Sequence, residues 1–246
     1  MKGCKVFFIG GGNIAHIVLG ELKDLIEKAY YFDVKETGLN AVKIEPFCVP
    51  DDADIVVECA SVDAVKKYAF DVLKSEKDFY IMSSGAFADE DFLKEFLRKL
   101  QDSRCRVFIP SGAIGGLDIV NAVKDKIFEV TLVLRKPPKA FGIEVNFETL
   151  IFEGNACEAI KRFPQNVNVA VTLLLAIGNL EKLKVKIIAD PSLKMNKHEI
   201  FVDSSVGKYH IIHENLPSPN PKTSYLAPLS LVASLRKRYQ KFIVGG

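Results

Sequence analysis

The stretch that decides the expected fold is Lys5-Val6-Phe7-Phe8-Ile9-Gly10-Gly11-Gly12-Asn13-Ile14-Ala15. It has the order of a short apolar strand, a glycine turn and the start of a helix. Gly10, Gly12 and Ala15 occupy the positions of the G-x-G-x-x-G/A fingerprint. The first glycine permits a tight turn, the second lets the backbone approach a pyrophosphate, and the small third residue lets the helix pack close to the strand. Asn13 and Ile14 would open a helix whose N–H groups and positive dipole end face the phosphates.

The residues that follow supply the rest of a nucleotide-binding unit. Apolar residues recur at helical spacing from Ile14 to Ile26, which predicts an amphipathic helix. A strand is predicted next, over 30–34, and it carries Asp33, 21 residues after Gly12. An acid about twenty residues beyond the glycines is the ribose-binding group of this fingerprint. A glycine turn without a ligand is the simpler alternative, but strand, turn, helix, strand and acid arrive in the order of a Rossmann half.

Composition narrows the class of protein. At 246 residues the chain can form one large domain or two small ones, and its 48% hydrophobic content can bury a substantial core. The net charge of +2 is too small to indicate nucleic-acid binding. The five cysteines contain no C-x-x-C pair, and no signal peptide or long apolar span is recognisable. We therefore expect reduced thiols in a cytoplasmic protein without a membrane segment.

Three further apolar segments each end in small residues. They are predicted as strands over 54–61, 79–86 and 106–110, with helices between them. Repeated strand–helix alternation predicts a parallel sheet, and the carboxyl ends of its strands line a ligand crevice. Cys59, Ala60 and Ser61 would therefore lie near a bound nucleotide. The alternative is a strand that simply ends in a turn.

The pattern changes after about residue 125. Alternating apolar residues predict half-exposed strands, the last two of them joined as a hairpin through Ser205-Val206-Gly207. Helices are predicted to begin near Asn155, near Asn166 and at about Leu226. This is typical of a mainly antiparallel sheet with helices on one side. The predicted strands cover 128–135 (with Phe128, Val130, Leu132 and Leu134 on one face), 144–152, 185–189, 198–204 and 208–213.

The four histidines are the first candidates for proton transfer, because an imidazole titrates near neutral pH. His16 lies inside the first predicted helix, as a packing or solvent residue. His210 and His213 fall on opposite faces of a predicted strand, which makes them poor joint metal ligands. His198 begins a strand and is either a catalytic group or a surface residue at a strand end. No cysteine or histidine pair has ligand spacing, so we predict no zinc site.

Other polar side chains stand in apolar surroundings. Asn166 is placed to cap a helix and Asn168 to lie in its first turn, which is a sufficient structural role for Asn166. A helix N-terminus could equally bind a carboxylate or a carboxamide. Lys222 could pair with an acidic ligand or be solvated. The residues alone leave these alternatives open.

Seven segments of this sequence occur in the same order in a known family. On them, the chain resembles the L-aspartate dehydrogenases of archaea and some bacteria over nearly its full length. Ala15, Cys59 and Ser84 depart from the pattern of that family. These changes are sterically mild and bear on cofactor affinity more than on reaction type. The segments are Gly10-Gly11-Gly12-Asn13-Ile14-Ala15, Glu58-Cys59-Ala60-Ser61, Ser84-Gly85-Ala86-Phe87-Ala88-Asp89, Pro110-Ser111-Gly112-Ala113-Ile114-Gly115-Gly116-Leu117-Asp118, Phe163-Pro164-Gln165-Asn166-Val167-Asn168-Val169-Ala170, Asn196-Lys197-His198 and Asn215-Leu216-Pro217-Ser218-Pro219-Asn220-Pro221-Lys222-Thr223-Ser224.

The resemblance implies an NAD(P)-dependent oxidation of L-aspartate to iminoaspartate, which is released or hydrolysed to oxaloacetate and ammonia. It also implies a role in quinolinate and NAD biosynthesis, and a homodimer. The histidine of the family corresponds to His198. Its cofactor-contacting alanine and asparagine correspond to Ala113 and to either Asn166 or Asn168, between which the sequence does not decide.

Further roles are expected from this resemblance. His198 would orient the substrate and accept or relay a proton, and Asn196 and Lys222 are the candidates for binding substrate. Asp33 favours NAD through the ribose hydroxyls, whereas Lys35 could accept the 2′-phosphate of NADP, so both cofactors stay candidates. The residues expected near the nicotinamide are Ala60, Ser61, Ser83, Gly85 and Ala113.

The predicted fold is α/β, with an N-terminal Rossmann domain over 1–110 and a smaller α+β domain with a mainly antiparallel sheet over 111–214. The smaller domain would serve substrate binding and dimerisation. Residues 215–246 form a loop and a helix that returns to the Rossmann domain, as the resemblance and the apolar stripe Leu229, Val232 and Leu235 imply.

Two other functions fit the same pattern. One is a different two-domain enzyme, similar to homoserine dehydrogenase or dihydrodipicolinate reductase, which would share the fold and differ in substrate. The other is a redox sensor that binds NAD(H) and turns nothing over, and such a sensor would not need Asn196 and His198.

Overall fold

The computed structural model describes residues 3–163, 167–216, 218 and 224–244. They fall into two units, each with its own sheet. The first unit contains the residues up to Pro110 and the segment Pro228–Phe242. The second contains Ser111–Ala227 and the residues from Ile243 onward.

The first unit is built on a six-stranded sheet. Its strands are β1 (Cys4–Ile9), β2 (Ile26–Phe32), β3 (Val42–Lys43), β4 (Ile55–Glu58), β5 (Asp78–Ile81) and β6 (Val107–Phe108). They lie in the order β3-β2-β1-β4-β5-β6, and every neighbouring pair is parallel. This is the strand order of a Rossmann fold, so the predicted fold class is confirmed. The helices between the strands are α1 (Asn13–Glu21), α2 (Val62–Lys74) and α3 (Glu90–Gln101).

Burial explains why the central strands have continuous apolar sequences. All four residues of β4 and all four of β5 are buried, as parallel strands covered on both faces require. The two-residue edge strand β3 lacks this signal and was not predicted. It pairs only with Tyr30 and Tyr31 of β2.

The predicted boundaries of the first helix and the second strand were wrong. The helix was expected to reach Ile26, but α1 ends at Glu21 and Ile26 opens β2. Leu22 and Leu25 lie in the turn between α1 and β2 and are buried in the core, so these apolar positions do not require a helix. Because β2 ends at Phe32, Asp33 follows the strand directly.

The second unit has a five-stranded sheet and three helices. The strands lie in the order β11-β10-β7-β9-β8. The β7–β9 pair is parallel and the other three pairs are antiparallel, as the prediction of a mainly antiparallel sheet requires. One core joins this sheet to its helices. The elements are α4 (Leu117–Val123), β7 (Ile127–Lys136), β8 (Thr149–Asn155), α5 (Ala156–Arg162), α6 (Val167–Ile177), β9 (Leu183–Ala189), β10 (Asn196–Ser204) and β11 (Gly207–Asn215).

Two details of this sheet differ from the prediction. Phe128 was expected on the buried face with Val130, yet it is 65% exposed. Ile127 pairs with Ser204 and Glu129 with Asp203, so Phe128 is the extra residue of a bulge, and a bulge reverses the side-chain alternation. The strand predicted over 144–152 is shifted to β8. The side chain of Asn155 caps α5 by accepting from Glu158 N–H (2.9 Å), as predicted.

The last helix, α7 (Leu226–Lys237), packs on the first unit. Pro228 lies in its first turn, where a missing N–H is tolerated. Leu231, Val232 and Leu235 are buried in the core of that unit. The predicted apolar stripe included Leu229, whereas the buried residue at this level of the helix is Leu231. Pro228, Leu231, Val232 and Leu235 have the spacing of one helical face.

Candidate functional site

The two fingerprint glycines of the turn differ in the space around them: Gly10 has no room for a side chain, whereas Gly12 does. Gly10 has a φ of +101°, and a Cβ built there would lie 2.8 Å from the Cα of Ala60. Gly12 precedes α1 as its N-cap and is exposed, and a Cβ there would meet nothing within 4 Å. Asn13 and Ile14 follow in the first turn of α1 and are partly exposed. The local packing therefore explains Gly10, whereas the open space at Gly12 fits the approach of a pyrophosphate.

Asp33 lies beside this turn. Gly11 N–H donates to its Oδ2 (2.9 Å) and Lys35 N–H to its Oδ1 (3.0 Å), so the carboxylate is fixed at the end of β2. A cavity of about 220 Å³ opens next to it. A carboxylate with remaining acceptor capacity at the edge of such a cavity fits the hydroxyls of a ribose. The cavity is lined by Ile9, Gly10, Phe32, Asp33, Val34, Ala60, Ser61, Asp63, Ala64, Lys67 and Tyr68.

The residues predicted after β4 have defined structural contacts. The Cys59 thiol donates to the Gly10 carbonyl (3.3 Å), and burial raises its pKa well above the usual range, so it is neutral. The Ser61 hydroxyl accepts from Ala64 N–H (3.1 Å) and caps α2. Ala60 and Ser61 are exposed and line the cavity next to Asp33.

The residues predicted after β5 are buried. Ser83 is 8% exposed, and Gly85 lies within a buried 3₁₀ turn, Ser84–Ala88. Ser83 donates to the carboxylate of Glu58, which is the last residue of β4 and is 0% exposed. Glu58 was not predicted as a site residue, although a glutamate inside an apolar strand sequence was a visible signal.

In the second unit, His198 is held as a neutral imidazole. It is 4% exposed on β10, and its Nδ1 lies 3.4 Å from the Ala113 carbonyl. Because a carbonyl only accepts, Nδ1 carries the proton and Nε2 keeps its lone pair. Burial, followed by the charge of Lys136, lowers the pKa of His198 to about 4. His198 is therefore unprotonated at neutral pH.

Two side chains that were not predicted as site residues hold the loop around Ala113. The Gly115 N–H donates to His213 Nε2 (2.7 Å), so Nδ1 of that ring donates to the His198 carbonyl (3.3 Å). Asn215 Nδ2 donates to the Ala113 carbonyl (2.8 Å). The hairpin predicted through Ser205-Val206-Gly207 has a loop one residue shorter in the structure, because Ser204 pairs with Gly207, and this register pairs His198 with His213.

Strand register brings two more polar groups to the same face of the sheet as His198. His198 pairs with Leu134, so Lys136, two residues further along β7, lies on that face, and Asn196 lies on it two residues before His198. Asn196 is partly buried and pairs with Asn215. Burial lowers the pKa of Lys136 below its usual value. Lys136 was missed by the sequence analysis, because its place beside His198 depends on the pairing of β7 with β10.

The remaining candidates are Asn166, Asn168, Lys222 and His210. Asn168 lies in the first turn of α6 and is exposed. Asn166 and Lys222 lie outside the described residues, so their predicted roles stay predictions. His210 contacts Glu199 (3.3 Å) and stacks on Phe201, on the face opposite to His198.

Within residues 3–163, 167–216, 218 and 224–244, no three His, Cys, Asp or Glu side chains are grouped so that they could hold a metal ion. Over the same residues, no helix has the length and apolar character needed to cross a bilayer.

We predict that His198 makes the stability of the fold depend on pH. Its pKa is about 4 in the folded chain against the ordinary 6.5, so the unfolded chain binds this proton more tightly. The free energy of unfolding should therefore fall as the pH drops from 6.5 towards 4, by at most about 1.4 kcal/mol per pH unit. Urea titrations across this window should show a smaller loss for His198→Gln than for the wild type. Equal losses would show that the buried imidazole is not the source.

Comparison with known proteins gives consistent matches for both halves of the chain. Residues 118–238 match the family described as "Aspartate dehydrogenase, C-terminal". Residues 18–110 match the family described as "Homoserine dehydrogenase, NAD binding domain".

Similar proteins also match over most of the chain. The L-aspartate dehydrogenase of Thermotoga maritima is 44% identical over 242 residues, covering 98% of this chain and 99% of that protein. The L-aspartate dehydrogenase of Methanosarcina barkeri is 46% identical over 200 residues, covering 76% and 74%. The crystal structure of aspartate dehydrogenase from Thermotoga maritima superposes with a TM-score of 0.90 and 40% identity, covering 98% of this chain and 99% of that one.

Proposed function

This chain belongs to the aspartate dehydrogenase family, and we propose from that premise that it catalyses the NAD(P)-dependent oxidation of L-aspartate. The product is iminoaspartate, which water converts to oxaloacetate and ammonia. The observation that carries the proposal is the buried neutral His198, with Nδ1 directed at the Ala113 carbonyl and Nε2 left as an acceptor. A sensor without turnover would not need such a base.

The residues of the first unit fit a pyridine nucleotide. Gly10, Gly12 and the first turn of α1 would hold the pyrophosphate, and Asp33 the adenosine ribose. The nicotinamide half would bind at the loops after β4 and β5, which contain Ala60, Ser61, Ser83 and Gly85. When bound, the nicotinamide supplies the acceptor for the hydride of the substrate Cα.

His198 is proposed as the general base. The Ala113 carbonyl fixes the tautomer of His198 by accepting from its Nδ1. Asn215 donates to the same carbonyl and so holds it in place. Nε2 would take the proton that the substrate amine must lose before its Cα can give up a hydride, or the proton of the water that attacks the imine. The low pKa of His198 keeps it in the accepting form over the whole neutral range.

We propose that Lys136 binds a carboxylate of the substrate. Support comes from the register, which puts Lys136 on the face of His198, and from the charge through which it lowers the pKa of that histidine. An ammonium group that is partly removed from water attracts a carboxylate more strongly than an exposed one does. Asn196, on the same face, would donate to the same substrate.

A single substitution tests this role. Lys136→Met should raise the KM for L-aspartate about tenfold or more, since a hydrogen bond to a charged group is lost. The Kd for the cofactor should stay unchanged. Lys197→Met is the matched control, because Lys197 lies on the opposite face and pairs with Glu214 (3.3 Å). A KM for L-aspartate that stays within about threefold in Lys136→Met would exclude this contact.

Asp33 leads us to propose NAD as the better cofactor. Its carboxylate accepts ribose hydroxyls and repels a 2′-phosphate. Lys35 follows Asp33 by two residues and Lys67 lines the cavity beside it, so we keep NADP as a second candidate cofactor. The expected result is a higher kcat/KM with NAD than with NADP.

We also propose a homodimer. On the sheet face opposite to the helices of the second unit, Phe201 and Ile212 are 40% and 49% exposed. Exposed apolar residues around ion pairs such as Arg135–Glu199 (2.8 Å) are typical of a subunit interface. Light scattering should give twice the chain mass of 27.3 kDa. Ile212→Glu should shift the mass towards the monomer, and a wild-type monomer would exclude the proposal.

We propose that the protein is cytoplasmic. The five cysteines are all unpaired, which fits the reducing cytoplasm. We also propose that the iminoaspartate is used in quinolinate and NAD biosynthesis, as the family resemblance implies.

The test of the function is reduction of NAD and of NADP, followed at 340 nm at alkaline pH with L-aspartate. Homoserine, malate and D-aspartate serve as comparison substrates. Turnover selective for L-aspartate is expected. The homoserine dehydrogenase match is restricted to the nucleotide-binding residues 18–110, so the alternative enzymes are not favoured. Turnover with homoserine but not L-aspartate would reverse that judgement.

A further inference from the structure

Glu58 is a buried acid that none of the proposed catalytic steps uses. It ends β4, and its side chain is 0% exposed. Four groups donate to its carboxylate. Oε1 accepts from Ala60 N–H (2.8 Å), Ser61 N–H (2.9 Å) and the Ser83 hydroxyl (2.9 Å), and Oε2 accepts from Ser83 N–H (3.0 Å).

These donors belong to two different loops. Ala60 and Ser61 follow β4, whereas Ser83 follows β5, and the two strands are neighbours in the sheet. Three of the four donors are backbone N–H groups, which cannot become acceptors. The arrangement therefore requires an acceptor at both oxygens of residue 58, and the ionised carboxylate is the group that provides it.

We propose that Glu58 is a positioning residue, which as an anion fixes the loops after β4 and β5 in the arrangement that receives the nicotinamide half of the cofactor. The inference rests on the proposed function, since it takes a pyridine nucleotide as the ligand. Glu58 acts through Ala60, Ser61 and Ser83 and does not itself touch the cofactor. One carboxylate sets both loops, so its loss would disturb two parts of the cofactor site together.

Protonation of Glu58 should then weaken cofactor binding. Burial raises the pKa of Glu58 to about 7, against the opposing effect of its four hydrogen bonds. The titratable groups near Glu58 are Cys59 and Asp33. Cys59 stays a neutral thiol, because burial and the charges of Glu58 and Asp33 all raise its pKa. From the loop after β5, the Ser83 N–H and hydroxyl donate to this carboxylate. Protonation of Glu58 would remove the charge that strengthens these four hydrogen bonds, so the two loops would be held more weakly.

The first experiment measures the Kd of the wild-type chain for NAD and for NADP by calorimetry between about pH 5.5 and 8.5, a window centred on the ionisation of Glu58. Cofactor affinity should fall by up to about tenfold per pH unit once the pH is below this ionisation. Glu58→Gln, which keeps the size and places an amide donor against the Ser83 or Ala60 donors, should raise the Kd about tenfold or more and remove the pH dependence. The KM for L-aspartate at saturating cofactor should change by less than about threefold.

Asp78→Asn is the matched control. Asp78 is also a buried carboxylate of the first unit, but it begins β5, at the opposite end of that strand, and pairs with Arg106 (3.0 Å). Its loss should lower the Tm while leaving cofactor affinity and its pH dependence unchanged. Glu58→Asp, one methylene shorter, should retain the pH dependence with a weaker affinity.

The outcomes are separable because binding is read without turnover. A Glu58→Gln chain that unfolds early but, when folded, binds the cofactor as the wild type does would overturn the inference and leave the proposed function intact. A wild-type Kd that does not change across the pH range would also overturn it, even if no Glu58 variant folds. A wild-type chain that binds neither cofactor would overturn both proposals.

Discussion

His198→Ala is expected to lower kcat for L-aspartate about 10²- to 10⁴-fold, the range lost when a general base is removed. The buried imidazole is neutral because its pKa is about 4, and its Nδ1 contact with Ala113 leaves Nε2 to accept a proton. Alanine removes this acceptor and leaves the first unit unchanged. The Kd for NAD should therefore stay within about threefold of the wild type.

Steady-state kinetics with both substrates varied, together with calorimetry of cofactor binding, checks this result. His210→Ala is the matched histidine control, because His210 lies on the same hairpin but contacts Glu199 on the other face of the sheet. The wild-type kcat should survive that change. Retention of most of the turnover in His198→Ala would show that another group moves the proton.

Gly10→Ala and Gly12→Ala are expected to fail in different ways, and both should lose most cofactor binding. Gly10 has a positive φ and no room for a Cβ beside Ala60. A side chain in such a conformation costs about 1–2 kcal/mol before the clash is counted, so Gly10→Ala should lower the Tm by several degrees and displace the loop after β4. Gly12 has open space around its Cβ position, so Gly12→Ala should keep its Tm within a few degrees.

Cofactor binding then distinguishes the two reasons for a glycine. In Gly12→Ala the added methyl group occupies the space through which a pyrophosphate must approach, and the Kd should rise about tenfold or more. Thermal melts with and without NAD, combined with calorimetry, measure both effects. An unchanged Kd in Gly12→Ala would mean that the phosphates do not bind at this turn.

Much of the fold could be predicted from local sequence. The glycine fingerprint, the apolar strands ending in small residues and the hairpin through Ser205-Val206-Gly207 predicted the two sheets and their types. The errors fell where a residue satisfied the core in an unexpected way. Leu22 and Leu25 are buried by a turn, and the bulge at Phe128 turns that ring outwards.

The candidate site could be predicted only in part. The glycines and Asp33 could be proposed from the sequence because their spacing along the chain is short and fixed, and His198 could be proposed through the family resemblance. Glu58, Lys136 and His213 were missed as site residues. Each acts on groups brought to it by strand pairing, such as Ser83 of the neighbouring strand for Glu58.

The sequence by itself thus determined the Rossmann half, the class of the second sheet and the residues that belong to a fingerprint. Their signals are local, because periodicity and turn geometry are set within a few residues of the chain. The tertiary structure alone decided which groups meet: the four donors on Glu58, the tautomers of His198 and His213, and the place of Lys136 on the histidine face. These depend on register and burial, and the same side chain changes its partners and its pKa when a strand shifts by one residue.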